Sequence, residues 1–288
     1  MINKFINRVK KNFSKKKERK NSILAIKNHI TELNDLLLND ITSKIQSTHT
    51  NPFNAFGRKC FSQSDEDGLT FEIIKRLKLE KFGYYAELGV GDGTENNSLF
   101  LASLGWKGFW VGGSDLAFDV PNNDKFFFQK EWISLKNIKK IFDVGLKHFE
   151  IDSIDLISVD LDGNDFYIVE SLLKEKIKPK IFILEYNGKF PPPLKFKIDY
   201  NEDHIWNEDD YFGSSLQTYF DLLSSYDYKL ICCNSHTGAN CFFVQNRYAE
   251  LFPEVPDNIE KIYSEPRYIL YKKFMHKKSI KLIKQILS

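Results

Sequence analysis

Cysteine is scarce in this chain: four residues among 288, with no Cys-x-x-Cys and one adjacent pair, Cys232-Cys233. That supply is too small and too irregular for a disulfide framework or a thiolate zinc site, and it fits thiols kept reduced. Histidine is equally sparse, at six residues, and no Cys/His-rich cluster is visible. Long apolar runs are missing too. None approaches the roughly 20 residues that a membrane-spanning helix needs. At the N-terminus the apolar residues are spaced, which reads against a cleavable signal and makes a cytoplasmic location the expectation.

Acid is nearly absent from both ends. Residues 1–20 hold nine Lys/Arg against Glu18, a charge of +8, and residues 271–288 hold six lysines and no acid, +6. Against a whole-chain charge of +2, the intervening residues therefore carry −12. The body is acidic and both ends are basic. Ile2, Phe5, Ile6, Val9 and Phe13 recur at helical steps among those cations, as do Phe274, Ile280, Ile283, Ile286 and Leu287. Such stretches suit an anionic membrane surface, at the inner face of the membrane for a cytoplasmic protein; solvated, disordered tails are the alternative. Nucleic acid is a weaker partner, since the acidic body repels phosphates. Ile23, Ile26, Ile30, Leu33, Leu37, Ile41 and Ile45 form a second helical pattern, and residues 22–46 are expected to pair two subunits as a homodimer. Asn51-Pro52 breaks it. The scheme is a helical N-terminal extension over 1–50, a main domain over 51–270 and a basic tail over 271–288.

An apolar fraction of 42% with 25 Phe supplies a large core. From residue 83 the pattern alternates. Strands are expected at 84–89, 108–112, 126–130, 155–160 and 181–186, and helices at 96–105, 135–147, 165–175 and 214–226. That alternation calls for a parallel sheet covered on both faces. Tyr228–Cys233 and Cys241–Gln245 then form an antiparallel hairpin. The expected fold is α/β: a Rossmann-like, doubly wound, mostly parallel sheet ending in an antiparallel hairpin, the architecture of class I methyltransferases.

The most informative stretch is Tyr84-Tyr85-Ala86-Glu87-Leu88-Gly89-Val90-Gly91-Asp92-Gly93-Thr94. A strand stops at an acid, three glycines bare the backbone, and helix-compatible sequence follows. A dinucleotide site would place its third glycine where Thr94 stands. The spacing suits S-adenosylmethionine better, although a plain glycine turn has the same look. Ligands in open α/β sheets bind at the strands' carboxyl ends. Those ends bring together Glu87 and Asp92, Gly112-Gly113-Ser114-Asp115, Asp160-Leu161-Asp162-Gly163-Asn164-Asp165 and Glu185-Tyr186-Asn187, and the hairpin loop adds His236. So many carboxylates on one rim call for something positive to bind there.

Phe61-Ser62-Gln63 with Glu66-Asp67-Gly68, then Glu87 through Ser98, and Leu104-Gly105-Trp106-Lys107-Gly108 resemble the FkbM-like methyltransferases. Val159-Asp160-Leu161-Asp162-Gly163 falls where that family has its second signature. The resemblance covers roughly residues 60–246. It implies a fold and a cofactor, S-adenosylmethionine, and an acceptor that is often a sugar or metabolite hydroxyl. It also implies that Glu87, Gly89, Gly91 and Gly93 line the methionine part, with Asp92 and Asn97 close by. One departure stands out: the acid that ends the family's second strand and holds the ribose is here Gly112 or Gly113, which leaves Asp115 to reach round.

Asp160 and Asp162 admit three readings. They cap the following helix. They accept the proton of an attacking hydroxyl or, with Glu185 and Asn187, hold Mg2+, resembling the oxygen ligands of magnesium-dependent sugar O-methyltransferases. Or they form the Asp-x-Asp of a manganese-dependent glycosyltransferase. His236 is the candidate general base. Residues 190–213 are too long for a plain connection and are read as an acceptor lid, with Tyr200, His204, Trp206 and Tyr211 stacking on a sugar and Asn201, Asp203 and Glu208 accepting hydroxyls; a rigid packing loop is the alternative. Phe190-Pro191-Pro192-Pro193 is not the Asn-Pro-Pro-Tyr of amino-group methyltransferases, which disfavours nitrogen. The expected activity is O-methylation of a saccharide or polysaccharide precursor. A glycosyltransferase, or a non-catalytic binding protein on the same fold, is the alternative.

Overall fold

The computed structural model describes residues 2–207, 209–267, 283, 284, 287 and 288. Among the described residues, seven strands make one sheet: β1 (Tyr84–Leu88), β2 (Lys107–Gly112), β3 (Phe126–Lys130), β4 (Leu156–Val159), β5 (Ile181–Glu185), β6 (Tyr228–Cys233) and β7 (Asn240–Gln245). Their order is β3-β2-β1-β4-β5-β7-β6, and β7 alone runs antiparallel to its neighbours. The helices are α1 (Ile2–Thr48), α2 (Glu66–Arg76), α3 (Leu99–Ser103), α4 (Ile138–Phe149), α5 (Asp165–Lys174), α6 (Leu216–Ser225) and α7 (Ile259–Ile262). This is the Rossmann-like, doubly wound sheet with a terminal hairpin that the alternation predicts, the class I methyltransferase architecture.

The central strands read as near-continuous apolar runs because helices cover both sheet faces. Every residue of β4 is buried, as are Ile181 to Leu184 of β5. Helix α4 lays Ile138, Ile141 and Phe142 on the sheet, and Phe142 meets Phe109 edge-on at 5.6 Å. Helix α6 starts where the Ser215 side chain accepts the Thr218 N–H. Helix α2 has no counterpart among the expected elements. It opens on Glu66 and Asp67, acids that suit a first turn, and buries Leu69, Thr70, Ile73 and Ile74, two adjacent pairs four residues apart on one face. Helix α3 is shorter than the expected 96–105, because Glu87 holds the backbone of Asn97 and Ser98.

The N-terminal extension is one helix where the sequence reads two patterns. Its 47 residues span about 70 Å at 1.5 Å each. Among its described side chains, those of the last turns pack on the body. Leu38 and Thr42 are buried, and Gln46 Nε2 donates to Gly57 O (3.2 Å) and Asp65 Oδ2 (3.0 Å). The chain then turns at Asn51, which is fully buried and donates to Ile231 O at 2.8 Å. Of the basic tail read over 271–288, all but residues 283, 284, 287 and 288 lie outside the described residues; Ile283 and Leu287 are buried. Among the described residues, no helix is long and apolar enough to cross a membrane.

Candidate active site

The sheet's connections reverse direction between β1 and β4, and a crevice opens at the carboxyl ends of β1, β4 and β5. It is a cavity of about 990 Å3, walled by Glu87, Gly89, Gly91, Asp92, Asn97, Asp160, Asp162 and Glu185 among others. That volume lies in the range of ligand sites, roughly 300–1,000 Å3.

Glu87 closes the loop that follows β1. Its Oε1 accepts the Asn97 N–H (2.8 Å), and its Oε2 accepts the Ser98 N–H (3.0 Å) and the Ser98 hydroxyl. Burial raises its pKa, and those donors offset part of the rise. Gly89 has φ +87°, and a Cβ there would stand 1.6 Å from Asp160 O. Only glycine lets β1 end this close to β4. Gly91 has φ +53°, lines the cavity, and has nothing within 4 Å of where its Cβ would be. Asp92 Oδ1 accepts from Thr94 N (3.0 Å) and Thr94 Oγ1 (2.6 Å). Asn97 reaches across to Ser158 Oγ at 3.1 Å.

Asp160, Asp162 and Glu185 come together at one corner of the cavity. Each offers a carboxylate oxygen within 4.8 Å of the others. Burial is the main cause that pushes Asp160 and Glu185 well above the usual carboxylate range, and their mutual repulsion adds to it. Burial also raises Asp162, while the nearby His204 ring opposes the rise. Asp165 braces this corner from below. It accepts the Leu161 N–H (2.6 Å) and the Gly163 N–H (2.9 Å), and burial raises its pKa to about 6. The acid in the first turn of α5 is Asp165, and its oxygens hold the loop before the helix; the N-cap position is Asn164, with no side-chain capping bond. Lys189 is on the same cavity wall and is paired with Asp210.

Three expected site residues are elsewhere. Asp115 is exposed and ion-paired with Lys130 at 2.6 Å, away from the cavity. At the end of β2, a Cβ on Gly113 would meet the Trp132 ring at 2.7 Å, and one on Gly112 would meet Val90 at 3.1 Å. No acid of β2 therefore reaches the crevice. Gly93 has φ +78° and faces Leu116 and Phe118, so it shapes the turn without lining the cavity. His236 is not presented at the rim. It is 3% exposed, its Nδ1 bonds Thr42 of α1, and its backbone N–H donates to Asp65 at 3.1 Å. Burial under α1 lowers its pKa.

The long loop contributes less than its aromatics promise. Of Tyr200, His204, Trp206 and Tyr211, only Trp206 lines the cavity. The Tyr200 hydroxyl accepts the Leu135 N–H (3.1 Å) and that of Tyr211 the Asp199 N–H (3.1 Å), so both brace the loop. Glu208 lies outside the described residues. Sequence reading gave no role to Gln63, Asp209, Phe212 or Asn240, which also line the cavity. Asn240 pairs with Glu185 across the β5–β7 ladder. It is 4% exposed, its Nδ2 donates to Glu66 (3.1 Å), and its Oδ1 has no hydrogen-bond partner among the described residues. Only the hairpin register brings it to Glu185.

No family model matches the chain, and no curated protein matches it. Solved structures similar to it include a Listeria monocytogenes protein assigned as an S-adenosylmethionine-dependent methyltransferase (14% identity, TM-score 0.35, covering 61% of this chain and 98% of that one). Others are a fibrillarin/Nop5p complex (14%, 0.34, 56% and 70%) and YjhP from E. coli (14%, 0.32, 63% and 74%). At such scores these likenesses decide neither ligand nor reaction, and the FkbM-like resemblance has no family match beside it.

Proposed function

We propose that the chain is an S-adenosylmethionine-dependent methyltransferase that methylates a hydroxyl of a saccharide or polysaccharide precursor. The observation that carries this reading is the open face of Gly91 beside an acid-walled cavity, on a sheet of class I methyltransferase topology. The site fits the cationic half of the cofactor. Gly89, Gly91, Asp92 and Asn97 would hold the methionine part, with the carboxylates of Asp160 and Glu185 facing its positive charges. The cofactor, when bound, supplies an activated methyl group. Glu87 acts one step back, since its oxygens are taken by Asn97 and Ser98. Ribose recognition would rest on groups other than a β2 acid.

The chain's own chemistry is alignment and proton removal. Asp160 and Glu185, both raised by burial, would take the proton of an acceptor hydroxyl as general bases. Trp206, on the cavity wall, offers the acceptor an aromatic face. The oxygen donors of Asp160, Asp162 and Glu185 fit a hard cation such as Mg2+, which would hold the acceptor oxygen and acidify its proton. His236 has no part in this. The test is transfer of labelled methyl from S-adenosylmethionine to a panel of sugars and glycolipid precursors, with and without magnesium. Label in a sugar ether, lost in Asp160→Asn, supports the reading; label transferred only to nitrogen acceptors overturns it. The displaced Asp115 favours a second reading, a non-catalytic binding protein on this fold, which predicts ligand capture with no label transferred.

A further inference from the structure

Helix α1 carries an apolar stripe that its own body does not cover. With Ile23 at heptad position a, Ile30 and Leu37 repeat that position, and Ile26 and Leu33 fall at d. These five are 58%, 62%, 53%, 59% and 66% exposed in that order, and Leu24 and Leu36 beside them are 55% and 68% exposed. Seven large aliphatics within 15 residues of one helix are a continuous patch, unlike the scattered apolar residues of an ordinary surface. The pairing surface read from the sequence over 22–46 is therefore shorter. From Leu38 onward the helix turns its apolar residues to its own domain.

We propose that this stripe is covered by the same stripe of a second copy, with the two helices antiparallel. Charge selects the occupant. Residues 21–40 hold Lys27 against Glu32, Asp35 and Asp40, so the apolar segment is itself acidic and an anionic bilayer repels it. The cations lie before it, at +8 over residues 1–20. Parallel helices would set cation against cation and acidic body beside acidic body. Antiparallel helices set the basic segment of each copy along the acidic segment and body of the other. Pairing a with d positions about Asn28 stacks Ile23 on Leu33 and Ile26 on Ile30, each twice, in four apolar layers. In that register position 16, a lysine, lies opposite position 40, an aspartate, at both ends of the seam. The two Thr48 ends then stand about 60 Å apart, which leaves room for both domains.

This dimer stands apart from the methyltransferase reading, and neither depends on the other. Its test is sedimentation of the full-length protein at tens of micromolar, beside the double variant Ile26→Asp, Ile30→Asp. Both positions are exposed, so the variant keeps the fold, which its circular dichroism and unchanged melting check. The expected result is a dimer whose dissociation constant rises at least about 100-fold in the variant. Direction is read by a spin label on exposed Asn39 in a Cys60→Ser background, where antiparallel helices separate the labels by about 33 Å and parallel ones by about 10 Å. A monomeric full-length chain, a dimer that survives both aspartates, or the short label distance overturns the proposal. Flotation of a monomer on phosphatidylserine vesicles would give the stripe to a membrane instead.

Discussion

Replacing Gly89 and Gly91 one at a time by alanine separates the two duties of the loop after β1. At Gly89 the added Cβ would stand 1.6 Å from Asp160 O, at a φ of +87°. The left-handed backbone alone costs an alanine about 1–2 kcal/mol. Relieving the clash must also loosen Gly89 N–H to Val111 O (2.9 Å) and Asp160 N–H to Leu88 O (3.0 Å), each contributing about 1 kcal/mol. The total is about 3–4 kcal/mol, a fall in melting temperature of about 6–16 °C at 2–4 °C per kcal/mol. At Gly91 the backbone cost is the same, but nothing lies within 4 Å of the new methyl. The expected fall there is only about 2–8 °C. Binding should show the reverse contrast. Gly91→Ala places a methyl where the cofactor is proposed to lie, so S-adenosylmethionine affinity should drop at least about 10-fold while the fold persists. Scanning calorimetry and titration calorimetry on both variants decide it. Equal melting shifts would refute the assignment of Gly89 to strand packing, and full affinity in Gly91→Ala would refute a ligand against that glycine.

Other consequences follow from the same contacts. Glu87→Ala orphans two buried N–H donors and a hydroxyl, and should cost about 3 kcal/mol in urea unfolding as well as the loop's ligand affinity. Asp160→Asn should leave stability at neutral pH unchanged or higher, because it removes a carboxylate whose burial penalises the charged form, while methyl transfer falls about 100-fold or more. The sign with pH is fixed: a folded-state pKa above the unfolded value near 3.9 gives stability that is greatest below about pH 4 and lost as pH rises through the raised value. Unfolding followed across pH should therefore slope down more steeply in the native protein than in Asp160→Asn. His236→Ala should keep transfer within about twofold, since the ring lies outside the cavity, yet it should speed proteolysis within α1 by removing the bond to Thr42.

The sheet was legible because its period is strong. β3 and β6 span the residues the pattern gives them, β4 is one residue shorter at each end, and the other strands differ by one residue at one end. Strand ends also told which acids share a crevice, so Asp160, Asp162 and Glu185 could be grouped before any distance was known. Residues held by tertiary register were not legible. Asn240 faces Glu185 only through the antiparallel ladder, and Asp65 receives His236 only because residues 62–67 fold under the hairpin loop. His236 looked like a rim residue because it sits in a turn between strands. What the pattern does not show is that α1 covers that turn. Asp115 failed for a local reason, since the chain after Gly113 swings to bring it beside Lys130. The family resemblance carried the methionine-side glycines and the cofactor, whereas the spacing alone allowed a plain turn.

Titration calorimetry of the full-length protein with S-adenosylmethionine and with its demethylated product tests the central claim most directly. The account predicts micromolar binding of both, lost in Gly91→Ala and in Glu87→Ala. Binding of neither, in protein whose melting is cooperative and with magnesium present or absent, would contradict it.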